Sequence, residues 1–276
     1  MQKKYCVIGS PIAHSLSPVI HNTLYEIYGL DCSYGKRLVT PDTLESFLRA
    51  VSNEGISGFN ITMPLKQGIL PYLCEVSPGA EESVNTVAVR SGKLYGYSTD
   101  ARGFCASLRQ IGMEYGGMNI VFIGAGAVTR LLCKDAAQKS AKSIAIVNRT
   151  VEKAQKIARF TNAVPDSLDN ISRYMKDCDL LVNTTPLGMS GTDCDFRSLD
   201  FLGLLPGRAA VCDLIYSPAQ TSLLKAASAR GLKTMNGLGM LIWQAFYSFE
   251  KWFGVMPSEA DYAAVSSKIT EALASR

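Results

Sequence analysis

Two rhythms of apolar and polar positions take turns along this chain. Short runs rich in β-branched and aromatic residues, Tyr5 to Ile8, Tyr34 to Val39 and Gly58 to Thr62, predict strands. Between them, Pro18 to Tyr28 and Asp42 to Ser52 predict helices. In the second, Leu44, Phe47, Leu48 and Val51 recur at the three-and-four spacing that puts them on one face. A strand–helix–strand succession builds a mostly parallel sheet, because the helix carries the chain back to start the next strand. Thr86 to Arg90 and Leu94 to Tyr97, around Ser91-Gly92-Lys93, predict a hairpin at the edge of that sheet. A second succession begins near residue 118, with strands at Asn119 to Ile123, Ser143 to Val147, Asp179 to Asn183 and Ala210 to Leu214. Its helices are Ala127 to Gln138, Val151 to Phe160 and Thr221 to Ala229, and two more, Leu238 to Trp252 and Ser258 to Ala274, follow. The expected fold class is α/β: two α/β domains that divide near Asp100 to Gly117, with a cleft between them.

Composition narrows the function classes. At about 150 residues per domain, 276 residues suit two domains, and 47% hydrophobic with 19% charged residues suits a folded chain. The longest apolar stretches, Met118 to Val128 and Leu238 to Phe249, hold 11 and 12 residues. A membrane span needs about 18, so no membrane partner is expected. The run after Met1-Gln2-Lys3-Lys4 is broken by Gly9, Pro11 and His14 too soon for a signal peptide, and a cytoplasmic protein is expected. The net charge of +4 resolves into +6 between Arg102 and Leu238 and −2 elsewhere. Without a clustered basic run, no nucleic-acid partner is expected. The eight cysteines lie at least 16 residues apart and only two histidines exist, so no metal site is expected and reduced core thiols are.

The second half offers a cofactor site. The strand ending at Ile123 runs into Gly124-Ala125-Gly126-Ala127-Val128, a turn that opens a helix. Free backbone N–H groups and the helix dipole can hold a pyrophosphate there. The third glycine position of the dinucleotide fingerprint is Thr129, and a tight turn that binds nothing has the same outline. The next strand ends in Asn148-Arg149-Thr150, with Lys153 one turn on. An NAD enzyme places Asp or Glu at that point, whereas a guanidinium suits the 2′-phosphate of NADP, so NADP is favoured over NAD.

The first half offers a substrate site. Ser15 and Ser17 lie between the first strand and the first helix, where hydroxyls can hold a small carboxylate. Capping of that helix by Ser17, ahead of Pro18, is the alternative, and it leaves Ser15 unexplained. His14 and His21 read as structural, since no Ser-His-Asp or Cys-His arrangement accompanies them. Asn60 and Thr62 share a strand face, and Lys66 follows at the carboxyl end, where open α/β sheets bind ligands. Val84-Asn85-Thr86 and Ser98-Thr99-Asp100 add polar groups beside other strands. A lysine and an aspartate among amides and hydroxyls suit a polyhydroxylated substrate and a proton transfer that accompanies hydride transfer; a surface Lys–Asp pair is the alternative.

Taken in order, these motifs resemble the shikimate dehydrogenase family over nearly the whole chain. The matching stretches are His14-Ser15-Leu16-Ser17-Pro18 with His21-Asn22, Asn60 to Lys66, Val84-Asn85-Thr86 and Gly96 to Gly103. Gly124-Ala125-Gly126, Asn148-Arg149-Thr150, Asn183 to Met189, Asp213 to Pro218, and Gly237 to Leu241 with Gln244 complete the set. The resemblance implies an N-terminal substrate domain with a mostly parallel sheet, residues 1–101 completed by 239–276, and a Rossmann-type NADP-binding domain, residues 102–238. It implies the NADP-dependent, reversible reduction of 3-dehydroshikimate to shikimate, on the way to chorismate and the aromatic amino acids. By position, Ser15 and Ser17 with Tyr216 would hold the carboxylate, and Asn60, Thr62, Lys66, Asn85, Asp100 and Gln244 would surround the ring hydroxyls. Lys66 would be the general acid/base and Asp100 would orient it, while Met189, Leu214 and Gly237 would lie near the nicotinamide.

Three departures from the family pattern stand out: Ala127-Val128 where Gly-Ala is usual, Glu82-Ser83 where Gly-Ala is usual, and Ser98 where Asn is usual. The first adds bulk where backbone approaches phosphate. A quinate/shikimate dehydrogenase with relaxed substrate or cofactor choice fits the same residues. A non-catalytic NADP-binding regulator fits less well, because it has no need of Lys66 and Asp100. A monomer and a homodimer are equally compatible with the sequence.

Overall fold

A computed structural model describes residues 2–274. It divides into two compact units, one holding the chain up to Gly103 together with the chain from Ile242 onward, the other Phe104–Leu241.

The first unit runs β1 (Lys3–Gly9), α1 (Ser17–Ile27), β2 (Cys32–Leu38), α2 (Leu44–Asn53), β3 (Ile56–Ile61), β4 (Glu75–Val76), β5 (Thr86–Arg90) and β6 (Lys93–Tyr97), and α3 (Asp100–Gln110) opens at its end. The strands form one sheet in the order β2-β1-β3-β5-β6-β4. Helical crossovers make β1 parallel to β2 and β3, while β5 returns antiparallel to β3 and β6 antiparallel to β5. Ser91 and Gly92, with φ of 50° and 73°, form the two-residue loop of that hairpin, the mirror-image turn that matches strand twist. The hairpin is not the sheet's edge: β4 pairs parallel to β6 outside it, and two residues are too short to leave a periodic signature. Cys6, Ile8, Phe59, Ile61 and Val87 pack with Leu44 and Val51 of α2 into one core.

Aromatic rings gather on the opposite side. His21 is fully buried and stacks on Tyr34 with centroids 4.4 Å apart; Tyr25 and Trp252 lie 6.2 and 5.1 Å from it. Burial pushes the His21 pKa from 6.5 down to about 3. Folded His21 therefore stays neutral at pH values where the unfolded chain already binds a proton. Stability is expected to fall as pH drops below about 6.5, by about 1 kcal/mol per pH unit from this group alone. His21→Phe keeps a ring and removes that contribution. Urea midpoints of both proteins at pH 7 and pH 5 check this: equal losses in the two would show that His21 does not carry the effect.

The second unit continues with β7 (Asn119–Ile123), α4 (Ala127–Gln138), β8 (Ser143–Asn148), α5 (Val151–Ala158), β9 (Val164–Ser167), α6 (Ser172–Met175), β10 (Leu180–Asn183), β11 (Ala210–Asp213), α7 (Ser222–Ala229) and β12 (Lys233–Met235). All its strands are parallel, in the order β12-β11-β10-β7-β8-β9. Counted from the first strand of the unit this is 3-2-1-4-5-6, the doubly wound dinucleotide-binding order, whose switch point lies between β7 and β10. Val121, Ile123, Val147, Leu181 and Val211 line one buried face with Leu223 and Leu224 of α7. The edge strands β9 and β12 went unread in the sequence. Val164-Pro165-Asp166-Ser167 carries a proline and a carboxylate that only an edge tolerates, and β12 is three residues long.

The chain ends with α8 (Leu238–Phe253), which begins in the second unit and passes into the first, and α9 (Glu259–Ala274). All eight thiols are free, but only Cys6, Cys105, Cys133, Cys178 and Cys212 are buried. Cys74 and Cys194 are exposed and Cys32 is half-buried, which corrects the expectation of core thiols for these three.

Candidate active site

In the first unit, polar side chains converge beyond the carboxyl end of β3. Buried Leu65 anchors the turn that follows the strand, with its N–H donating to Thr62 O (3.0 Å), and Val84 N–H donates to Lys66 O (3.1 Å). From that turn Lys66 Nζ reaches Asp100 Oδ2 at 2.6 Å, the two side chains being 26% and 10% exposed. The surface Lys–Asp alternative is thereby set aside, because the carboxylate is sequestered. Asp100 is the first residue of α3, where the helix dipole favours a negative charge.

Asn85 supplies the second donor to this carboxylate. Thr99 N–H, which can only donate, binds Asn85 Oδ1 at 2.8 Å and so fixes which way the amide points. Asn85 Nδ2 then faces Asp100 Oδ1 (2.9 Å), Thr99 Oγ1 (2.8 Å) and Gln244 Oε1 (3.2 Å). Asn60 is committed inside the protein. Tyr34 OH donates to its Oδ1 (2.6 Å), and its Nδ2 meets Asn85 O (3.1 Å), Thr86 Oγ1 (3.0 Å) and Ser248 Oγ (3.0 Å). Thr62 sits one residue past β3, half-buried, with its N–H donating to Ile8 O (2.9 Å).

Ser17 does not cap α1, contrary to the alternative weighed for it. Leu16 holds the cap position without a side-chain bond, and Ser17 is the first helical residue. Its N–H donates to Ser15 Oγ, and the two hydroxyls also lie 3.3 Å apart. The pair is linked to itself, at a helix start where N–H groups lack intrahelical acceptors.

In the second unit, Gly124 follows β7 with φ of +109°, and a Cβ there would come within 2.6 Å of Thr184 Oγ1. Only glycine allows this approach at the switch point. A one-way chain of hydrogen bonds crosses the same point. Gly126 N–H donates to Thr129 Oγ1 (3.1 Å), Thr129 and Thr184 hydroxyls lie 2.7 Å apart, and Thr184 Oγ1 donates to Ile123 O (2.7 Å). Because Thr184 spends its proton on Ile123, Thr129 must donate to Thr184. Thr129, standing at the third glycine position, thus ties the start of α4 to Thr184, which in turn ties the end of β10 to β7. The first intrahelical bond of α4 is Arg130 N–H to Gly126 O (3.1 Å), so the N–H groups of Ala127, Val128 and Thr129 have no acceptor within the helix.

Asn148 closes β8 and Arg149 and Thr150 follow it directly; Arg149, Thr150 and Lys153 are exposed. Gly124 N–H donates to Val147 O (2.9 Å), which puts this cationic turn beside the glycine turn, and Asn148 Nδ2 donates to Thr150 O (2.7 Å). At the carboxyl ends of β11 and β12, Gly237 packs on Leu214: a Cβ on Gly237 would land on the Leu214 carbonyl. Met189 is 39% exposed in the loop after β10, and Tyr216 is half-buried beyond β11.

One buried network in this unit was not read from the sequence as chemistry. Fully buried Asp213 accepts from Thr221 Oγ1 (2.7 Å), Asn183 Nδ2 (3.0 Å) and Ile215 N–H (3.1 Å). Burial, first among its influences, pushes its carboxyl up despite these donors. The signal was a polar residue closing each of two apolar strands, Asn183 and Asp213. Asp213→Ala strands three donors and is expected to cost about 2–4 kcal/mol. Asp213→Asn, which keeps one acceptor and needs only a turned Thr221 hydroxyl, should cost under about 1 kcal/mol. Thermal or urea unfolding separates the two; equal costs would mean the network does not hold this strand end.

Comparison with known proteins places these features. The model of the shikimate dehydrogenase substrate binding domain matches residues 7–87, that of shikimate / quinate 5-dehydrogenase residues 107–187, and that of the shikimate 5′-dehydrogenase C-terminal domain residues 237–262. Shikimate dehydrogenase (NADP(+)) of Bacillus subtilis is 37% identical over 272 residues, covering 94% of each chain. The crystal structure of shikimate 5-dehydrogenase from Thermus thermophilus, in complex with NADP(H) and shikimate, aligns with a TM-score of 0.83 at 32% identity, over 97% of this chain and 99% of that one. Ligand-free 5-ketofructose reductase of a Gluconobacter strain aligns with a TM-score of 0.86 at 30% identity, over 98% and 99%. With matches of this extent in sequence and structure, the chain belongs to the shikimate dehydrogenase family.

Proposed function

We propose that this chain catalyses the NADP-dependent, reversible reduction of 3-dehydroshikimate to shikimate, in the synthesis of chorismate and the aromatic amino acids. The observation that carries the reading is the Lys66–Asp100 pair at 2.6 Å, braced by Asn85, in a family member whose second unit sets Arg149 beside a glycine turn. Residues 1–101 and 239–276 bind the substrate, and residues 102–238 bind NADP.

The second unit fits the cofactor. A Cβ on Gly126 would meet nothing within 4 Å, so open space lies over the start of α4 where its N–H groups can receive a pyrophosphate. Gly124, Ala125, Gly126, Ala127 and Val128 would cradle it. Arg149, Asn148, Thr150 and Lys153 would hold the 2′-phosphate, and Met189, Leu214 and Gly237 would flank the nicotinamide. When bound, NADPH supplies the hydride. The protein's own part is binding and proton transfer. Ser15, Ser17 and Tyr216 take the carboxylate. Thr62, Asn85 and Gln244 take ring hydroxyls, with Asn60 bracing Asn85 from behind. Lys66 gives a proton to the oxygen at C3 as the carbonyl is reduced, and takes it back in the reverse direction. Asp100 holds the ammonium in place.

Free thiols and the lack, among the described residues, of any helix long and apolar enough to cross a membrane support a cytoplasmic enzyme. Initial rates with shikimate and quinate, each with NADP and NAD, test the reading. The highest kcat/KM is expected for shikimate with NADP. Comparable rates with quinate would point to a relaxed quinate/shikimate dehydrogenase. Adding 5-ketofructose with NADPH tests the substrate named for one structural relative. No turnover in any combination would favour the non-catalytic NADP-binding regulator.

A further inference from the structure

One fully buried hydroxyl on α8 has no place in the chemistry above. Ser248 lies between buried Tyr247 and Phe249 and is itself 0% exposed. Its Oγ donates to Gln244 O at 2.9 Å, an ordinary habit of helical serine. It also meets three groups from elsewhere in the fold: Thr86 Oγ1 at 2.7 Å, Asn60 Nδ2 at 3.0 Å and Thr99 Oγ1 at 3.4 Å. Those same three residues enclose Asn85. Asn60 Nδ2 donates to its carbonyl (3.1 Å), and the Thr86 and Thr99 hydroxyls each lie 3.2 Å from its Oδ1. Asn85 in turn gives Nδ2 to the Asp100 carboxylate that receives Lys66.

We infer that Ser248 is a positioning residue for the proton-transfer pair: its hydroxyl ties Asn60, Thr86 and Thr99 into a frame that sets Asn85, and through Asn85 the Asp100 carboxylate under Lys66. This rests on the roles proposed for Lys66 and Asp100. Gln244 and Ser248 are four residues apart on one helix and so share a face. Gln244 Oε1 meets Asn85 Nδ2 directly at 3.2 Å, so α8 is registered against Asn85 twice, once by contact and once through the frame. Ser248 also governs the Thr86 proton. When Ser248 donates to Thr86, the Thr86 hydroxyl is free to donate to Asn85 Oδ1; when Ser248 donates to Gln244, Thr86 donates to Ser248 instead.

Kinetics on full-length variants test the inference. Ser248→Ala removes one oxygen and is expected to lower kcat about tenfold, the scale of a small misplacement in a catalytic group. KM for NADP should stay within about twofold, and since Asn85 also takes a ring hydroxyl, KM for shikimate and the shikimate Kd from calorimetry without cofactor should rise by less than kcat falls. Thr86→Ser should keep wild-type kcat while Thr86→Val, the same shape without the hydroxyl, falls with Ser248→Ala. The double variant Ser248→Ala/Asn85→Ala should be no slower than Asn85→Ala alone, since both act through one group. Wild-type kcat in Ser248→Ala, or a loss that multiplies onto that of Asn85→Ala, overturns the inference. If Ser248→Ala does not fold, the Thr86 pair decides: equal rates in Thr86→Ser and Thr86→Val overturn it. A wild-type chain without shikimate turnover removes the reading of the site, and this inference with it. An active wild type with unaffected variants removes the inference alone.

Discussion

Lys66→Ala is expected to lower kcat by about 10²- to 10⁴-fold while KM for shikimate and NADP changes little, the range a positioned general acid/base contributes. The structure gives the physical reason. Lys66 is the one cation within ion-pair distance of Asp100 among the described residues, and the carboxylate is 10% exposed, so bulk water is a poor substitute. In the proposed reading the serines, Thr62, Asn85 and Gln244 would carry substrate binding, and the substitution leaves them in place. An interaction that matters only as the C3 oxygen gains its proton should therefore appear in kcat. Lys66→Arg would keep the charge, but a guanidinium holds its proton too firmly to exchange it, and no rescue is expected. Steady-state kinetics in both directions check this. Near-normal turnover in the alanine variant would show that the proton comes from elsewhere.

Arg149→Ala is expected to raise KM for NADP about 30- to 100-fold and to leave KM for NAD nearly unchanged. Arg149 is exposed at the end of β8, beside the glycine turn through the Gly124–Val147 hydrogen bond. A guanidinium on a phosphate makes charge-assisted, bidentate bonds, together about 2–3 kcal/mol, and NAD has no phosphate there to lose. Lys153 and Thr150 stay in the variant, so the loss should be incomplete. Parallel titrations with the two cofactors check it, and equal shifts would remove the 2′-phosphate argument.

The parts of this molecule legible in the sequence are those governed by local pattern. The strands β7, β8, β10 and β11 are continuous apolar runs because both faces of a parallel sheet are covered, and the glycine turn is visible because close approach to Thr184 admits no side chain. Lys66 and Asp100 stood out as residues, yet their contact spans 34 positions and needed the fold to close it. Ser17 misled: a serine ahead of a proline is the pattern of a cap, but the chain enters α1 through Leu16. Asn60 was read as facing ligand, whereas Tyr34, Thr86 and Ser248 claim its amide. Ser248 gave no signal at all, since a hydroxyl in an apolar helix gains its meaning from Asn60, 188 residues earlier.

The two halves of the Lys66–Asp100 pair are tethered very differently. Asp100 is the first residue of an eleven-residue helix, with Asn85 on one carboxylate oxygen, so its place is settled by main chain. Lys66 hangs from a turn on four methylenes and keeps a quarter of its side chain in solvent. The anion is the fixed post and the ammonium the swinging arm. A lysine that gives up its proton loses the charge that binds it to Asp100 and keeps only a neutral N–H bond, which leaves it freer to turn toward water for another. With Lys66 as the proposed acid, reloading it would ask for one side-chain rotation about an unmoving partner, with no rearrangement of the sheet beside them.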